Sequence, residues 1–150
     1  MSTTLEVAVF LSMNGNAQNA IDFYKKHLNA EQLMKVTYAD MVKMGDNSIE
    51  LNDKNKNHIN YSVLKIGKTK IMIAENTMDT NEKYKVGNNF SLCIQSADLD
   101  EIQQFYSSLI SDEKVRIIIP LASNIFSKAY GIIEDPFGVQ IQLMFDDRLK

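Results

Sequence analysis

The stretch Glu134-Asp135-Pro136-Phe137-Gly138-Val139-Gln140-Ile141-Gln142-Leu143-Met144-Phe145 contains a tight turn and the strand that follows it. Pro136 presets φ for the first central position of the turn, and Gly138 accepts a positive φ that most residues avoid. The Asp135 side chain can cap the same turn. Because the turn joins two strand-like runs, Ala129–Glu134 and Val139–Phe145, it predicts a hairpin.

The second strand of this hairpin alternates between two kinds of side chain. Its apolar face, which we expect to pack on helices, consists of Val139, Ile141 and Leu143. The opposite face carries the carboxamides of Gln140 and Gln142 at adjacent positions. In this arrangement a sheet can offer polar contacts to a molecule inside a concave surface. An ordinary half-exposed strand shows the same alternation, so both interpretations stay open.

The composition is that of an ordinary globular protein, with 150 residues of which 45% are hydrophobic and 23% charged. The net charge of -3 leaves no basic excess to neutralise phosphates, which argues against nucleic-acid and anionic-membrane partners. No apolar run approaches the roughly 18 residues of a membrane span, and no signal-peptide pattern is present. The lone Cys93 cannot form an intramolecular disulfide, so we expect a cytoplasmic protein.

The first half of the chain, about residues 5–76, contains five segments in the order strand, helix, strand, strand, strand. These segments are Leu5–Met13, Ala17–Leu28, Glu31–Ala39, Ile59–Ile66 and Thr69–Ala74. Asn14-Gly15-Asn16 interrupts the first strand and offers Asn16 as the N-cap of the amphipathic helix. Residues 40–57 show no clear pattern.

The second half, about residues 87–146, repeats this order after the polar linker 77–86. Its segments are Asn88–Gln95, Leu99–Ile110, Lys114–Pro120, Ala129–Glu134 and Val139–Phe145. Asp98 is the expected N-cap of the second helix, and Leu121–Asn124 is the expected loop before the final hairpin. The repeated order predicts two modules within a single domain, 1–150.

Five motifs in the same order resemble those of a known family. They are Asn14-Gly15-Asn16, Ala20-Ile21-Asp22-Phe23-Tyr24, Ile66-Gly67, Gly87-Asn88-Asn89-Phe90-Ser91-Leu92 and Asp135-Pro136-Phe137-Gly138-Val139. From about Val7 to Phe145 the chain looks like the PhnB-like branch of the vicinal oxygen chelate superfamily, which includes glyoxalase I, bleomycin-resistance proteins and extradiol dioxygenases. The resemblance implies an α+β fold in which two βαβββ modules form a cupped half-barrel of mixed sheet with helices on its outer face. Members are commonly homodimers whose cups hold a small molecule.

The superfamily's chemistry rests on a divalent metal that polarises vicinal oxygens of the substrate. The resemblance carries the metal-ligand positions to Val9, Met72, Ser91 and Gln142. Only the Gln142 carboxamide suits such a metal, because valine has no donor atom and a thioether is too soft for hard cations. Tyr61 stands where many PhnB-like members carry a histidine. We therefore expect no metal and no other cofactor, and the sequence favours a role other than metal-dependent catalysis.

The remaining reactive side chains show no catalytic arrangement. His27 and His58 have no partner at ligand spacing, so we expect both on the surface. Cys93 has no evident histidine partner, so we expect a small buried hydrophobe. A carboxylate on or beside a strand could act as a general base if burial raised its pKa, although such groups are more often solvated. The carboxylates in question are Glu50, Glu75 and Glu134.

We predict that the protein binds a small molecule without the superfamily's metal site. Glutamine and tyrosine side chains would donate and accept directional hydrogen bonds, and aromatic and methionine side chains would form apolar walls. The candidate ligand-binding residues are Gln142, Gln140, Tyr61, Phe126, Tyr130, Met72, Phe10 and Ser91. Two alternatives stay open: a metal-dependent lyase or dioxygenase with misaligned ligands, and a non-catalytic dimeric interaction protein whose cup is filled by its own side chains.

Overall fold

A computed structural model describes residues 4–149 of the chain. The chain divides into two compact units, Met1–Tyr84 and Lys85–Lys150, which we call the N-terminal and C-terminal units. The division lies inside the polar segment 77–86. Each unit contains one four-stranded sheet.

The N-terminal unit follows the predicted βαβββ order, with one short helix added before its third strand. Its elements are β1 (Val9–Ser12), α1 (Ala17–His27), β2 (Glu31–Thr37), α2 (Tyr38–Lys43), β3 (Ile59–Ile66) and β4 (Thr69–Ala74). The sheet has the order β1-β4-β3-β2, in which β1 is parallel to β4 and the other pairs are antiparallel. Fully buried side chains of α1 and the strands form the core, among them Ile21, Tyr24, Leu64 and Ile73.

Helix α1 begins at the predicted residue, but the side chain that caps it is not the predicted Asn16. Asn16 is the N-cap, yet its side chain makes no capping hydrogen bond. Instead, Oε1 of Glu75, the residue after β4, accepts hydrogen bonds from the backbone N–H groups of Gly15 at 2.8 Å and Ala17 at 3.0 Å. The Ala17 N–H is one of the donors that a helix leaves without an internal partner at its start, and Gly15 lies directly before the N-cap. The cap therefore depends on a residue about sixty positions away.

Strand β2 is shorter than predicted because a helix begins inside the expected strand. Thr37 Oγ1 accepts from the Asp40 N–H at 3.1 Å, and Asp40 Oδ2 accepts from the Thr37 N–H at 2.9 Å. This reciprocal pair is a capping box, which starts α2 at Tyr38. The predicted strand to Ala39 was therefore wrong at its C-terminal end.

The C-terminal unit repeats the βαβββ order. Its elements are β5 (Leu92–Ser96), α3 (Leu99–Ile110), β6 (Arg116–Ala122), β7 (Tyr130–Glu134), β8 (Gln140–Phe145) and a 3-10 helix, Asp147–Leu149. The sheet has the order β5-β8-β7-β6, again with one parallel pair, β5 and β8. The Asp98 carboxylate accepts from the N–H groups of Asp100 and Glu101, so the predicted N-cap of α3 is confirmed.

The turn between β7 and β8 has the predicted construction. Asp135 Oδ1 accepts hydrogen bonds from the backbone N–H groups of Phe137 and Val139, both at 2.9 Å. Gly138 has φ +87°, a backbone conformation that is unfavourable for residues with a side chain and is readily adopted by glycine. The hairpin is therefore specified locally, by residues inside the turn itself.

The observed bounds of strand β6 differ from the predicted strand Lys114–Pro120. The strand runs from Arg116 to Ala122, so it continues through Pro120 and includes part of the predicted loop Leu121–Asn124. Proline is tolerated here because β6 is an edge strand, where a missing N–H leaves no neighbour without a partner. The pairing with β7 also shifts register twice, which the sequence pattern does not reveal.

The first strand of each unit is shorter than its sequence pattern. The alternation predicted Leu5–Met13 and Asn88–Gln95, whereas the paired strands are β1 and β5. Leu5 and Val7 are 80% and 89% exposed, because the alternating pattern continues beyond the part of β4 that pairs with β1. Alternation thus identified the strands but not their ends.

Taken together, these elements form an α+β fold with two four-stranded mixed sheets, neither of which closes on itself. The predicted fold class is therefore confirmed. None of the helices within residues 4–149 combines the length and the apolar character needed to cross a membrane.

Candidate functional site

The N-terminal unit has a pocket on one face of its sheet, with a cavity volume of about 410 Å³. Strands β2, β3 and β4 and the residues preceding β1 supply its side chains. The lining residues are Glu6, Ala8, Leu33, Met34, Tyr61, Val63, Lys70 and Met72. Of the predicted ligand-binding residues, Tyr61 and Met72 lie together in this pocket.

The polar groups of this pocket differ in whether they already have partners. Lys70 Nζ and Glu6 Oε2 form an ion pair at 3.1 Å, so their charges compensate each other. The Tyr61 side chain is 37% exposed, and its hydroxyl forms no hydrogen bond with any residue from 4 to 149. Tyr61 therefore places an available donor in a pocket whose other polar lining residues, Glu6 and Lys70, pair with each other. Apolar walls with a few polar groups are typical of ligand pockets.

Strand register separates Phe10 from Val9, the first of the expected metal positions. Phe10 pairs with Met72, so the two side chains point to the same face of the sheet as the pocket. Val9 pairs with the buried Ile71, on the opposite face. Val9 and Met72 therefore cannot contribute to one site on the pocket face.

The C-terminal unit brings three other predicted residues together in a continuous hydrogen-bonded chain. The Tyr130 hydroxyl donates to Gln142 Oε1 at 2.5 Å, and Gln142 Nε2 donates to Ser91 Oγ at 2.6 Å. We call Tyr130, Gln142 and Ser91 the polar chain. All three side chains are partly buried, and the carboxamide has a partner at each end.

Gln140 and Phe126 lie outside the polar chain. Gln140 pairs in register with Glu134, whose carboxylate accepts from Arg116 Nε at 3.3 Å. Phe126 is 88% exposed in the loop between β6 and β7, so in the C-terminal unit it contributes to no apolar wall.

Cys93 is exposed, which corrects the expectation of a buried hydrophobe. The thiol lies on β5 opposite Gln142 in register, on the more open face of the sheet. Desolvation raises the pKa of Cys93, which disfavours the reactive thiolate. The residue therefore has the accessibility but not the electrostatics of a nucleophile.

Both histidines were predicted to lie on the surface, and for His27 this prediction was wrong. His27 is 3% exposed, and its ring packs at a tilt of 56° against Phe23 with centroids 4.6 Å apart. It is therefore a core residue on the inner face of α1. His58 is only partly exposed and packs edge-on against Tyr38 at 5.8 Å.

Among the candidate general bases, Glu75 is buried but already fully engaged. Its Oε2 accepts from the Ile59 N–H at 2.8 Å, while Oε1 accepts from two N–H groups at the start of α1. A carboxylate with both oxygens bonded to the backbone has a structural role. Glu134 is held by Arg116, and Glu50 is exposed.

The donor set does not fit the metal of the superfamily. Among residues 4–149, no three His, Cys, Asp or Glu side chains cluster as metal ligands. The Gln142 oxygen already accepts from Tyr130, and its remaining neighbours in the polar chain are neutral hydroxyl groups. A hard divalent cation prefers carboxylate or imidazole ligands, which this arrangement lacks.

Comparison with known proteins establishes the family. The family model of the Glyoxalase/Bleomycin resistance protein/Dioxygenase superfamily matches residues 7–143, and the chain belongs to this superfamily. Protein YjdN of Escherichia coli strain K12 is 23% identical over 139 residues, which are 90% of this chain and 91% of YjdN.

Solved structures share the fold. PA1353 from Pseudomonas aeruginosa aligns with a TM-score of 0.77 at 21% identity, over 95% of this chain and 98% of that one. The PhnB protein from Bacillus cereus aligns with a TM-score of 0.70 at 21% identity, over 95% and 100%. The predicted resemblance to PhnB-like proteins is therefore confirmed.

Sequence reasoning missed most of the pocket lining. Val63 lies between two buried residues on β3, and Lys70 lies two residues before Met72 on β4, so periodicity could have placed both on the pocket face. Leu33 and Met34 could not be assigned in this way, because β2 shifts register between Gln32 and Met34.

Proposed function

We propose that the protein binds a small, largely apolar molecule in the pocket of the N-terminal unit, without a metal. The observation that supports this function is the cavity of about 410 Å³. Pockets for small molecules typically measure roughly 300–1,000 Å³ and combine apolar walls with a few polar groups. Tyr61 supplies such a polar group, and Met34 and Met72 supply adaptable apolar surface.

The test uses ethylbenzene as an apolar probe and protein labelled with carbon-13 at the methionine methyl groups. Met34 and Met72 line the pocket, whereas Met13 is 2% exposed in the core and Met44 is 69% exposed. We expect the methyl signals of Met34 and Met72 to shift saturably, with Met13 and Met44 unmoved. Leucine substitutions at positions 34 and 72 assign the signals.

A substitution that fills the pocket provides the matched control. Ala8 is exposed on the pocket wall, so Ala8→Phe adds a ring to the cavity without displacing core residues. We expect this variant to keep its unfolding transition and to lose the saturable shifts. Equal shifts of all methionine signals, or none at Met34 and Met72, would contradict the proposed function.

The competing function is that of a metal-dependent lyase or dioxygenase. Elemental analysis after incubation with zinc, manganese, nickel or iron(II) discriminates between the two. We expect less than stoichiometric metal, because the donors around Gln142 are neutral and mutually bonded. About one metal per chain, lost in Gln142→Ala, would favour the enzyme.

We also propose that the protein forms a homodimer. Ile125 and Phe126 are 90% and 88% exposed, although their loop is well organised. Asn124 Oδ1 accepts from the N–H groups of Phe126 and Ser127, both at 2.8 Å. Large apolar side chains held in a fixed position at the surface are typical of interaction sites. An interaction protein without a ligand would share this feature but would fail the ethylbenzene titration.

A further inference from the structure

The two units place corresponding residues at corresponding register positions. In the C-terminal sheet, Gln142 on β8 pairs with Cys93 on β5 and with Ile132 on β7. In the N-terminal sheet, Met72 on β4 pairs with Phe10 on β1 and with Val63 on β3. Because the strand order and directions are the same, Met72 is the counterpart of Gln142.

The other two residues of the polar chain also have counterparts, which are found by counting two residues back along each strand from a register partner. Tyr130 lies two residues before Ile132, and Tyr61 lies two residues before Val63. Ser91 lies two residues before Cys93, as Ala8 does before Phe10. The counterparts of the polar chain are therefore Tyr61, Met72 and Ala8, and all three line the pocket.

Only the tyrosine is common to the two sets. In the C-terminal unit, the tyrosine donates to the Gln142 carboxamide oxygen at 2.5 Å. In the N-terminal unit, Met72 has no such oxygen and Ala8 has no hydroxyl, so neither counterpart offers an oxygen acceptor, and both residues line the pocket. The Tyr61 hydroxyl then lacks a partner among the described residues.

We infer that the ligand itself supplies the missing acceptor: a neutral molecule with a carbonyl or amide oxygen on an apolar body, to which Tyr61 donates a hydrogen bond. This inference rests on the proposed function and specifies its ligand class. A neutral ligand is favoured because the charged residues of the lining, Lys70 and Glu6, carry opposite charges and pair with each other at 3.1 Å. The body is apolar because Met34, Val63 and Met72 line the same pocket as Tyr61.

The test compares acetophenone with ethylbenzene, which has the same carbon skeleton but no carbonyl oxygen. Dissociation constants for both probes come from the Met34 methyl signal. We expect Tyr61→Phe to weaken acetophenone binding roughly three- to tenfold, the effect of one hydrogen bond, while ethylbenzene binding stays unchanged. Tyr61 is 37% exposed and makes no internal side-chain hydrogen bond in the described chain, so this variant should fold normally.

Two further variants use the correspondence between the units. Met72→Gln introduces the carboxamide of the other unit, which should accept from Tyr61 and weaken acetophenone binding by a similar factor. Tyr130→Phe removes the counterpart hydroxyl, and we expect no effect on either probe. The ratio of the two dissociation constants in each variant is the quantity to compare with the wild type.

The titration results can reject the assigned ligand class without rejecting the proposed function. If ethylbenzene binds at Met34 and Met72 but Tyr61→Phe leaves the ratio unchanged, the function stands and the assigned ligand class is wrong. If neither probe shifts these signals in the wild type, both are wrong. An equal change of the ratio in Tyr130→Phe would also contradict the assignment of Tyr61.

Discussion

Glu75 connects three parts of the N-terminal unit that are distant in sequence. Its buried carboxylate accepts hydrogen bonds from Gly15 and Ala17 at the start of α1, and from Ile59 at the start of β3. A carboxylate is well suited to this position because all three partners are donors and the helix N-terminus carries positive partial charge. The residue thereby replaces the side-chain cap that Asn16 does not provide.

We therefore expect Glu75→Gln to destabilise the protein. The amide nitrogen of glutamine cannot accept, so at least one buried N–H loses its partner, at a cost of about 2 kcal/mol in the free energy of unfolding. Urea denaturation measures this change. Glu50→Gln, at an exposed position, is the control and should change stability by less than about 0.5 kcal/mol. Equal stability of the two variants would exclude the capping role.

The turn between β7 and β8 depends on Gly138 for two separate reasons. Its φ of +87° is unfavourable for a residue with a Cβ, and a Cβ at this position would lie 2.6 Å from Val86 Cγ1. We expect Gly138→Ala to lower the free energy of unfolding by about 2 kcal/mol, measured by urea denaturation.

Two controls separate the two causes. Val86→Ala in the Gly138→Ala background should recover the part due to the steric contact and leave the part due to φ. Gly87→Ala should be close to neutral, because its φ is not positive and its nearest contact is 3.6 Å away. A neutral Gly138→Ala would mean that the turn relaxes without cost.

Helix α2 is held by a capping box that should fail in acid. The hydrogen bonds from Thr37 hold the pKa of Asp40 below its usual range, so the folded state favours the ionised carboxylate. This contribution is present above the ordinary aspartate pKa, about 4, and is lost as the pH falls through the lowered value. We expect the backbone chemical shifts of residues 38–43 to move toward unfolded values in that range.

Asp40→Asn tests the assignment of this acid transition. The variant should weaken α2 at neutral pH and remove the acid transition, whereas Asp53→Asn, in an exposed loop, should leave it in place. Persistence of the transition in Asp40→Asn would assign it to another group.

The assembly of the whole chain is open to a direct measurement. We expect light scattering after gel filtration to give twice the chain mass of 17.1 kDa, as proposed from the exposed Ile125 and Phe126. Phe126→Ser should shift the equilibrium toward the monomer, because it removes an exposed apolar ring. Ser123→Ala, in the same loop, is the control. A monomer at all concentrations would contradict the proposed homodimer.

Local sequence determined the features whose causes lie within a few residues. The turn at Asp135 and Gly138, the N-cap at Asp98 and the alternation of β8 could all be read directly, because each depends on neighbouring side chains and the backbone they constrain. The repeated order of five elements indicated two modules for the same reason.

Only the tertiary structure decided the features that join distant residues. The capping of α1 by Glu75, the burial of His27 and the course of β6 through Pro120 each depend on a neighbour that periodicity does not identify. The difference between a pocket at Tyr61 and a polar chain at Tyr130 has the same origin. Strand register places Met72 opposite Val63 and Gln142 opposite Ile132, so each lies diagonally from the tyrosine two residues earlier in the chain, Tyr61 or Tyr130. These neighbours come from another strand, so the sequence around each tyrosine does not reveal them.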